Sequence, residues 1–318
     1  MAILKTDPHT EAGASVNQAL VWLAKGSPAD VARAATSLQA AAEAGCADAF
    51  AHLATLAGAG VGMPQSWPLA LDHLLAAAEW GSASAQTQLK ILAGAGAVPD
   101  ADWRALRASV RVQEWTAPVE KRVLNASPRI VAIDDFLPRP ACEGLIDLAR
   151  GRLSPALVFG RDGVGPKASA TRANTAFEIP FIDNTLVVQM VRLRLAATIG
   201  VPLGALEPSQ ILHYDVGEAF AEHHDYLYPD DPGRAAEIAA HGQRVATFLI
   251  YLNDDFDGGE TEFPKLGLKH RGRAGSALYF ANLGADGAGD PRTLHAGRAP
   301  VRGEKWLFSQ WVRNRAVV

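Results

Sequence analysis

The stretch AAEAGCADAFAHLATLAGAG, residues 41–60, recurs as AAEWGSASAQTQLKILAGAG, residues 77–96, at an offset of 36 residues without a gap. Ala41, Ala42, Glu43, Gly45, Ala47, Ala49, Leu53 and Leu56 each meet an identical counterpart, and so does the whole of LAGAG. A period of this length means stacked pairs of antiparallel helices, because a single hairpin cannot bury its apolar face alone. Alanine favours helix, and its small side chain lets paired helices approach closely. Leu38, Leu53 and Leu56, with Leu74, Leu89 and Leu92 one repeat later, supply the apolar stripe. Each unit therefore reads helix, turn at Gly45 or Gly81, helix, then a glycine loop such as GAGVGMPQ.

These repeats resemble the Sel-type relatives of tetratricopeptide repeats, with residues 29–96 carrying the resemblance. Residues 1–15 are assigned no structure, and EAGASVNQALVWLA reads as an earlier, degenerate helix, so the helical block is expected over 16–96. Such a block offers either a groove for a peptide or partner, or an extension that stabilises the chain or pairs two copies into a homodimer. Both readings stay open, since fold alone does not give function. Trp22, Trp67 and Trp80 are expected to fill helix interfaces. Residues 97–128 read as one more helix, in DADWRALRASV with its aspartate cap signal, followed by a connector. Arg104, Arg107 and Arg111 are expected on a solvated face of that helix.

At 318 residues, 48% hydrophobic and 20% charged, the chain has material for two cores. A net charge of -4, without a run of five like charges, argues against nucleic acid as a partner. Cys46 and Cys142 form no disulfide framework, the first residues turn polar too early for a signal peptide, and no apolar run approaches a membrane span. A cytoplasmic setting is the expectation.

From Arg129 the periodicity changes. RIVAIDDFL is strand-like, PRPACEGLIDLARGRL is helical, and DNTLVVQMVRLRLAATIGVP reads as an amphipathic helix with Leu186, Met190, Leu193 and Ala197 on one face. Short strands separated by Gly and Asp turns follow: SQILHYDV, EAFAEHHDY, RVATFLIYLND, GETEFP, GLKHRG, GSALYFAN, RTLHAGRAPV and EKWLFSQWVR. The expected fold class is α+β: all-α repeats, then a double-stranded β-helix, or jelly roll, with supporting helices over 129–318. Residues 225–244, with Pro229, Pro232 and Gly233, suit a mobile lid better than a packed element.

The chemistry sits in that second domain. His223 and Asp225, two apart on a strand-like segment, leave the same face and can grip one metal ion. His295, 72 residues after His223, converges with them if the two strands lie on facing sheets. Two imidazoles and a carboxylate with open positions suit ferrous iron better than structural zinc. His224 points the other way. Lys305, expected on the next strand of the sheet that carries His295, points into an apolar barrel and requires an anionic partner. The hydroxyls of Thr247 and Tyr214 suit the same anion.

Taken together, YDVGEAFAEHHDY, RVATFLIYLND, GGETEFP, GSALYFANL and DPRTLHAGRAPVRGEKWLFSQWVR resemble the prolyl 4-hydroxylase branch of the iron- and 2-oxoglutarate-dependent dioxygenases, over about Arg129 to Arg313. The resemblance implies Fe(II) held by His223, Asp225 and His295, and 2-oxoglutarate reaching Lys305, with O2 as cosubstrate and ascorbate dependence. It implies hydroxylation of an unactivated C–H bond, foremost in a peptidyl proline, with release of succinate and CO2. A free amino acid or small metabolite is the alternative substrate, and a partner-binding scaffold with a vestigial barrel is the non-enzymatic alternative. Arg172 falls where this family places a substrate-side arginine, and Asn282, Trp311 and Tyr226 are further candidates for the substrate side.

Overall fold

The computed structural model describes residues 8–95, 102–159, 166–168 and 172–316. Gly96, which closes the second repeat, and the first part of the 97–128 segment lie outside the described residues. The chain divides into two compact units, one of residues 1–116 with 180–191 and one of residues 117–179 with 192–318.

The first unit is helical: α1 (Pro8–Lys25), α2 (Pro28–Glu43), α3 (Ala47–Ala59), α4 (Trp67–Glu79), α5 (Ala83–Leu92), α6 (Trp103–Ser109) and α7 (Val112–Thr116). The two repeats fall on α2–α3 and α4–α5. The turns between paired helices use Gly45 and Gly81 at φ 85° and 90°, where a side chain would be strained. Ser27, Ser66 and Ser82 cap α2, α4 and α5, each accepting a backbone N–H of the first turn. Residues near the start are not a structureless lead-in. Helix α1 begins at Pro8, because Ala12, Val16, Ala19 and Leu23 recur every three or four residues and bury one stripe in the helical core. Trp80 departs from the expected interface role. It is 59% exposed and lies over Gly45, where a Cβ would come within 2.9 Å of its ring. Arg104 is exposed and Arg107 half-buried, and they pair with Glu79 at 2.7 Å and Asp72 at 2.9 Å on α4.

The strand unit contains β1 (Arg122–Asn125), β2 (Ile130–Ile133), α8 (Arg139–Ala149), β3 (Ser154–Pro155), β4 (Leu157–Phe159), β5 (Pro166–Ala168) and β6 (Thr175–Glu178). Helix α9 (Leu186–Ile199) follows; then come β7 (Gln210–Tyr214), β8 (Phe220–His223), α10 (Pro232–His241), β9 (Arg244–Tyr251), β10 (Asp257–Gly258) and β11 (Thr261–Phe263). The unit ends with β12 (Leu268–His270), β13 (Ala277–Ala281), β14 (His295–Gly297), β15 (Pro300–Arg302) and β16 (Lys305–Arg313). An eight-stranded sheet runs β1-β2-β13-β9-β16-β7-β6-β3, and a four-stranded sheet runs β12-β11-β14-β8. Their inner faces share one apolar core, in which Leu212, Leu249, Leu278, Phe280 and Leu307 of the large sheet meet Phe263 of the small one. This is the jelly-roll arrangement of an α+β chain. Strands β9 and β16 are buried almost throughout because they are central in the large sheet, where both faces are covered; α8 buries Ala141, Cys142, Leu145, Ile146 and Ala149. Cys46 and Cys142 are both free.

Two elements differ from expectation. Helix α9 is not amphipathic: residues 186–191 are all buried, Leu193 is half-buried and Ala197 is exposed. Its first two turns belong to the helical unit, where Gln189 Nε2 donates to Thr55 O and Leu186 N donates to Gln88 Oε1. An all-round apolar helix is the expected form of a buried one. The 225–244 segment is not a loop-like lid, since it contains α10, opened by Pro232 and capped by Asp231 on the N–H groups of Gly233 and Arg234. Among the described residues no helix is long and apolar enough to cross a membrane.

Candidate active site

Strands β8 and β14 are neighbours in the small sheet, with His295 paired directly to His223. The two imidazoles thus come from adjacent strands and not from facing sheets, their ring centroids 4.2 Å apart. Asp225 lies in the bend just beyond β8, yet its carboxylate closes the group: Oδ1 is 3.6 Å from His223 Nε2 and Oδ2 is 3.5 Å from His295 Nε2. His223 Nδ1 lies 2.8 Å from Ala221 O, and His295 Nδ1 lies 3.0 Å from Thr293 O. A carbonyl can only accept, so both Nδ1 atoms carry hydrogen and both Nε2 lone pairs are left for a metal. Burial pushes His295 down to about 4, with His223 adding to the effect, so its imidazole is a neutral donor at neutral pH. Burial alone would raise the Asp225 carboxyl, but His295, His223 and the Thr247 hydroxyl outweigh it and hold the group far below the usual carboxylate range.

The triad stands between two cavities. The outer one, about 870 Å³, is lined by Arg172, Phe220, Tyr226, Arg244 and Trp311 among others, and by the α10 face of Asp231, Arg234, Glu237 and His241. The inner one, about 40 Å³, has His223, Asp225 and His295 in its wall together with Tyr214, Thr247, Thr261 and Lys305. Lys305 begins β16 and pairs with Tyr214 on β7, so it belongs to the large sheet, opposite the one that holds His295. Strand β15 intervenes in sequence and pairs with β10, which is why chain order misplaced it. Lys305 is 0% exposed, and its Nζ has no hydrogen-bond partner among the described residues. Nζ lies over the Tyr214 ring, 4.8 Å from its centroid, a favourable cation–π contact. Burial pushes Lys305 down to about 7, opposed only by the charge of Glu260.

The remaining candidates divide. Thr247 lines the inner cavity, but its hydroxyl donates to Asp225 Oδ2 at 2.6 Å. Asn282 faces neither cavity. It lies behind Thr247 and donates to its hydroxyl at 3.2 Å. Trp311 lines both cavities, its ring covered by the Arg244 guanidinium 3.6 Å from the centroid. Arg172 is buried, lies over the Phe220 ring at 4.6 Å and donates to Asn174 Oδ1. Tyr226 sits in the outer wall against Gly289, where a Cβ would come within 2.3 Å of the tyrosine ring. His224 stays outside the triad, bonded to Tyr228 Oη at 2.9 Å and Pro291 O at 3.2 Å.

Glu207 escaped the sequence reading. It receives two hydrogen bonds from Arg244, at 2.7 and 2.8 Å, and another from Arg313, which also reaches Glu237 on α10. Its only sequence signal was two arginines, Arg244 opening β9 and Arg313 closing β16, which antiparallel pairing sets side by side. A second convergent group, His213, Asp215 and Glu304, was likewise unread. There His213 Nε2 bonds Glu304 at 2.9 Å while Arg150 approaches the same carboxylate, which makes it an ion-pair cluster.

The family model of the 2OG-Fe(II) oxygenase superfamily matches residues 209–313. Prolyl 4-hydroxylase 1 of Arabidopsis thaliana is 33% identical over 212 residues, covering 62% of this chain and 73% of its own. The chain belongs to the prolyl 4-hydroxylase-like 2OG-Fe(II) oxygenases. The probable prolyl 4-hydroxylase 6 of the same plant is 32% identical over 218 residues, covering 63% of this chain and 74% of its own. A viral collagen prolyl hydroxylase from Paramecium Bursaria Chlorella virus-1, solved as a 2OG complex, aligns over 59% of this chain and 96% of its own with TM-score 0.43 and 24% identity.

Membership makes this oxygenase an enzyme dependent on Fe(II), 2-oxoglutarate and O2, with ascorbate typical of prolyl hydroxylases. The residues present fit those groups. Two oriented imidazole lone pairs and a carboxylate form an N/O donor set of three. A buried ammonium without a partner, at the wall of a small cavity that the donor set also lines, suits a carboxylate.

Proposed function

We propose that this oxygenase hydroxylates a prolyl residue of a peptide or protein, using Fe(II) held by His223, Asp225 and His295 and 2-oxoglutarate whose distal carboxylate pairs with Lys305. The observation that carries the reading is Lys305 Nζ, fully buried beside the triad and without a hydrogen-bond partner among the described residues. Leaving an ammonium there uncompensated costs several kcal/mol in order of magnitude, and a dicarboxylate that reaches it removes that cost.

With its cosubstrates the metal would supply the oxidant for R–H + O2 + 2-oxoglutarate → R–OH + succinate + CO2. The chain's own residues do the placing. Ala221 and Thr293 carbonyls keep both imidazoles facing inward. Lys305 and the Tyr214 ring set the depth at which a dicarboxylate seats. Trp311, one face covered by Arg244, gives the outer cavity an apolar wall suited to a pyrrolidine ring, while Phe220 is stacked on His223 and covered by Arg172. The outer cavity, at about 870 Å³, far exceeds a free amino acid and favours a peptide. The naming of the plant relatives as prolyl 4-hydroxylases supports proline as the residue. The paired helices α2–α3 and α4–α5 are read as Sel-type repeats that help to hold that peptide.

Anaerobic addition of Fe(II) and 2-oxoglutarate to purified protein gives a weak visible charge-transfer band on this reading, and proline-rich peptides stimulate succinate release. Absence of the band would sink the metal and cosubstrate assignment. Succinate release with free amino acids and none with peptides would make the substrate a metabolite.

A further inference from the structure

Asn282, Thr247 and Asp225 form a hydrogen-bond chain whose direction is fixed by chemistry. Asn282 Nδ2 lies 3.2 Å from Thr247 Oγ1, and that hydroxyl lies 2.6 Å from Asp225 Oδ2. An amide NH2 only donates, so Thr247 accepts from Asn282 and its single hydrogen goes to the carboxylate. The same Nδ2 faces Arg244 O at 3.5 Å, a carbonyl that the oxygen end of the amide could not satisfy. All three residues are buried.

We infer that Thr247 and Asn282 are positioning residues for Asp225, holding one carboxylate oxygen so that the other is the freer donor to a metal. The inference rests on the reading of Asp225 as a metal ligand. Asp225 lies past the end of β8, where no ladder hydrogen bonds brace it, and the χ2 of an aspartate is a broad, soft torsion. The two histidines have carbonyls to orient them, and for the carboxylate the corresponding device is the Thr247 hydroxyl. An oxygen already accepting a short hydrogen bond is a poorer partner for bidentate ligation. Single-oxygen ligation by Asp225 leaves positions for cosubstrates. Because the only hydroxyl hydrogen of Thr247 is committed to Asp225, it is not available to a dicarboxylate near Lys305.

Thr247→Val keeps the β-branched shape and removes the hydrogen bond, whereas Thr247→Ser keeps the hydroxyl. Fe(II) affinity is titrated anaerobically, Co(II) absorption reports the ligand geometry, and 2-oxoglutarate affinity is measured at saturating metal. Thr247→Val is expected to weaken Fe(II) binding about 10–100-fold and to shift the Co(II) bands, with 2-oxoglutarate affinity nearly unchanged. Thr247→Ser restores both metal readouts, and Asn282→Ala moves them in the Thr247→Val direction by less. Wild-type metal affinity and Co(II) bands in Thr247→Val overturn the inference, as does a loss confined to 2-oxoglutarate. If Thr247→Val does not fold by circular dichroism, Asn282→Ala decides in the same way. A wild-type protein that binds neither Fe(II) nor 2-oxoglutarate would instead overturn the proposed function.

Discussion

His223 and His295 stand directly across from each other on adjacent antiparallel strands, each with its Nδ1 given to the carbonyl two residues upstream. Apart from the bend at Asp225, the donor set is therefore assembled by the fold itself, and a metal should bind the folded chain far better than the unfolded one. At 100 times its dissociation constant, such a ligand stabilises by about 2.7 kcal/mol. Thermal unfolding under argon should show a higher Tm with Fe(II), and His295→Ala should abolish most of the rise.

With 2-oxoglutarate paired to Lys305 as proposed, its binding should depend on pH. The folded-state pKa of Lys305 lies near 7, below the ordinary 10.5, so between those values the folded protein holds fewer protons than the unfolded chain. That contribution makes the ligand-free protein more stable as pH rises across the window. A dicarboxylate restores the charge, so above pH 7 binding takes up a proton and affinity falls by about tenfold per pH unit. Tyr214, Glu260, Arg172 and the triad are the ionisable groups nearest this pocket, and saturating metal keeps the triad from titrating in the window. Calorimetry in buffers of different ionisation enthalpy should register the proton at pH 8, and Lys305→Met should bind weakly with no pH dependence.

The same contrast between local pattern and long-range pairing explains what was legible in the chain. His223, Asp225, His295 and Lys305 could be picked out because their residue types and order are unusual in apolar strands. Which sheet each occupied could not, since β15 leaves the large sheet to pair with β10 between His295 and Lys305. Helix α10 was hidden because Pro229, Pro232 and Gly233 read as loop punctuation, although Pro232 stands in the first turn of the helix, where its missing N–H costs nothing. Arg192, Arg244, Arg313 and Glu207 look like solvated charges until their partners are known. Thr247 and Asn282 were read as cavity groups, and only the contact between β9 and Asp225 reveals what they hold.

Glu207 binds two arginines in a buried cluster, so its charge is required there. Glu207→Gln leaves Arg244 and Arg313 short of a counter-charge, and loss of one member of a buried ion pair costs about 3–5 kcal/mol. Urea unfolding should show that loss. Because Arg244 covers Trp311, the same variant should raise KM for the peptide more than it lowers kcat.

Gly259 sits at φ +68°, and a Cβ there would meet Phe256 at 2.8 Å and the Lys305 Cδ at 3.3 Å. Gly259→Ala combines backbone strain with pressure on Phe256 and on the stem of Lys305, at a cost of about 1–3 kcal/mol. Weaker 2-oxoglutarate binding with unchanged metal affinity is the expected signature, measured by titration of each in turn.

Removing the helical unit tests whether it serves only to hold substrate. A cut near Ser127 is too late, because it deletes β1, the edge strand paired to β2. A cut after Thr116 spares β1, yet residues 180–191 group with the deleted helices: Ile182 packs against their core, and Leu186 and Gln189 hydrogen-bond to Gln88 and Thr55. Leu186, Val187, Val188, Met190 and Val191 would lose the partners those helices supply, an apolar run of the kind that drives association when exposed. The shortened chain should therefore aggregate or melt well below the full protein, as light scattering and calorimetry would detect, whatever the role of the repeats. A surface change answers the question more cleanly. Trp80 is largely exposed on the repeats, and Trp80→Ala in the full chain should leave Tm within a few degrees while raising peptide KM if the repeats hold substrate. An unchanged KM, with melting and metal binding intact, would remove Trp80 from the peptide path.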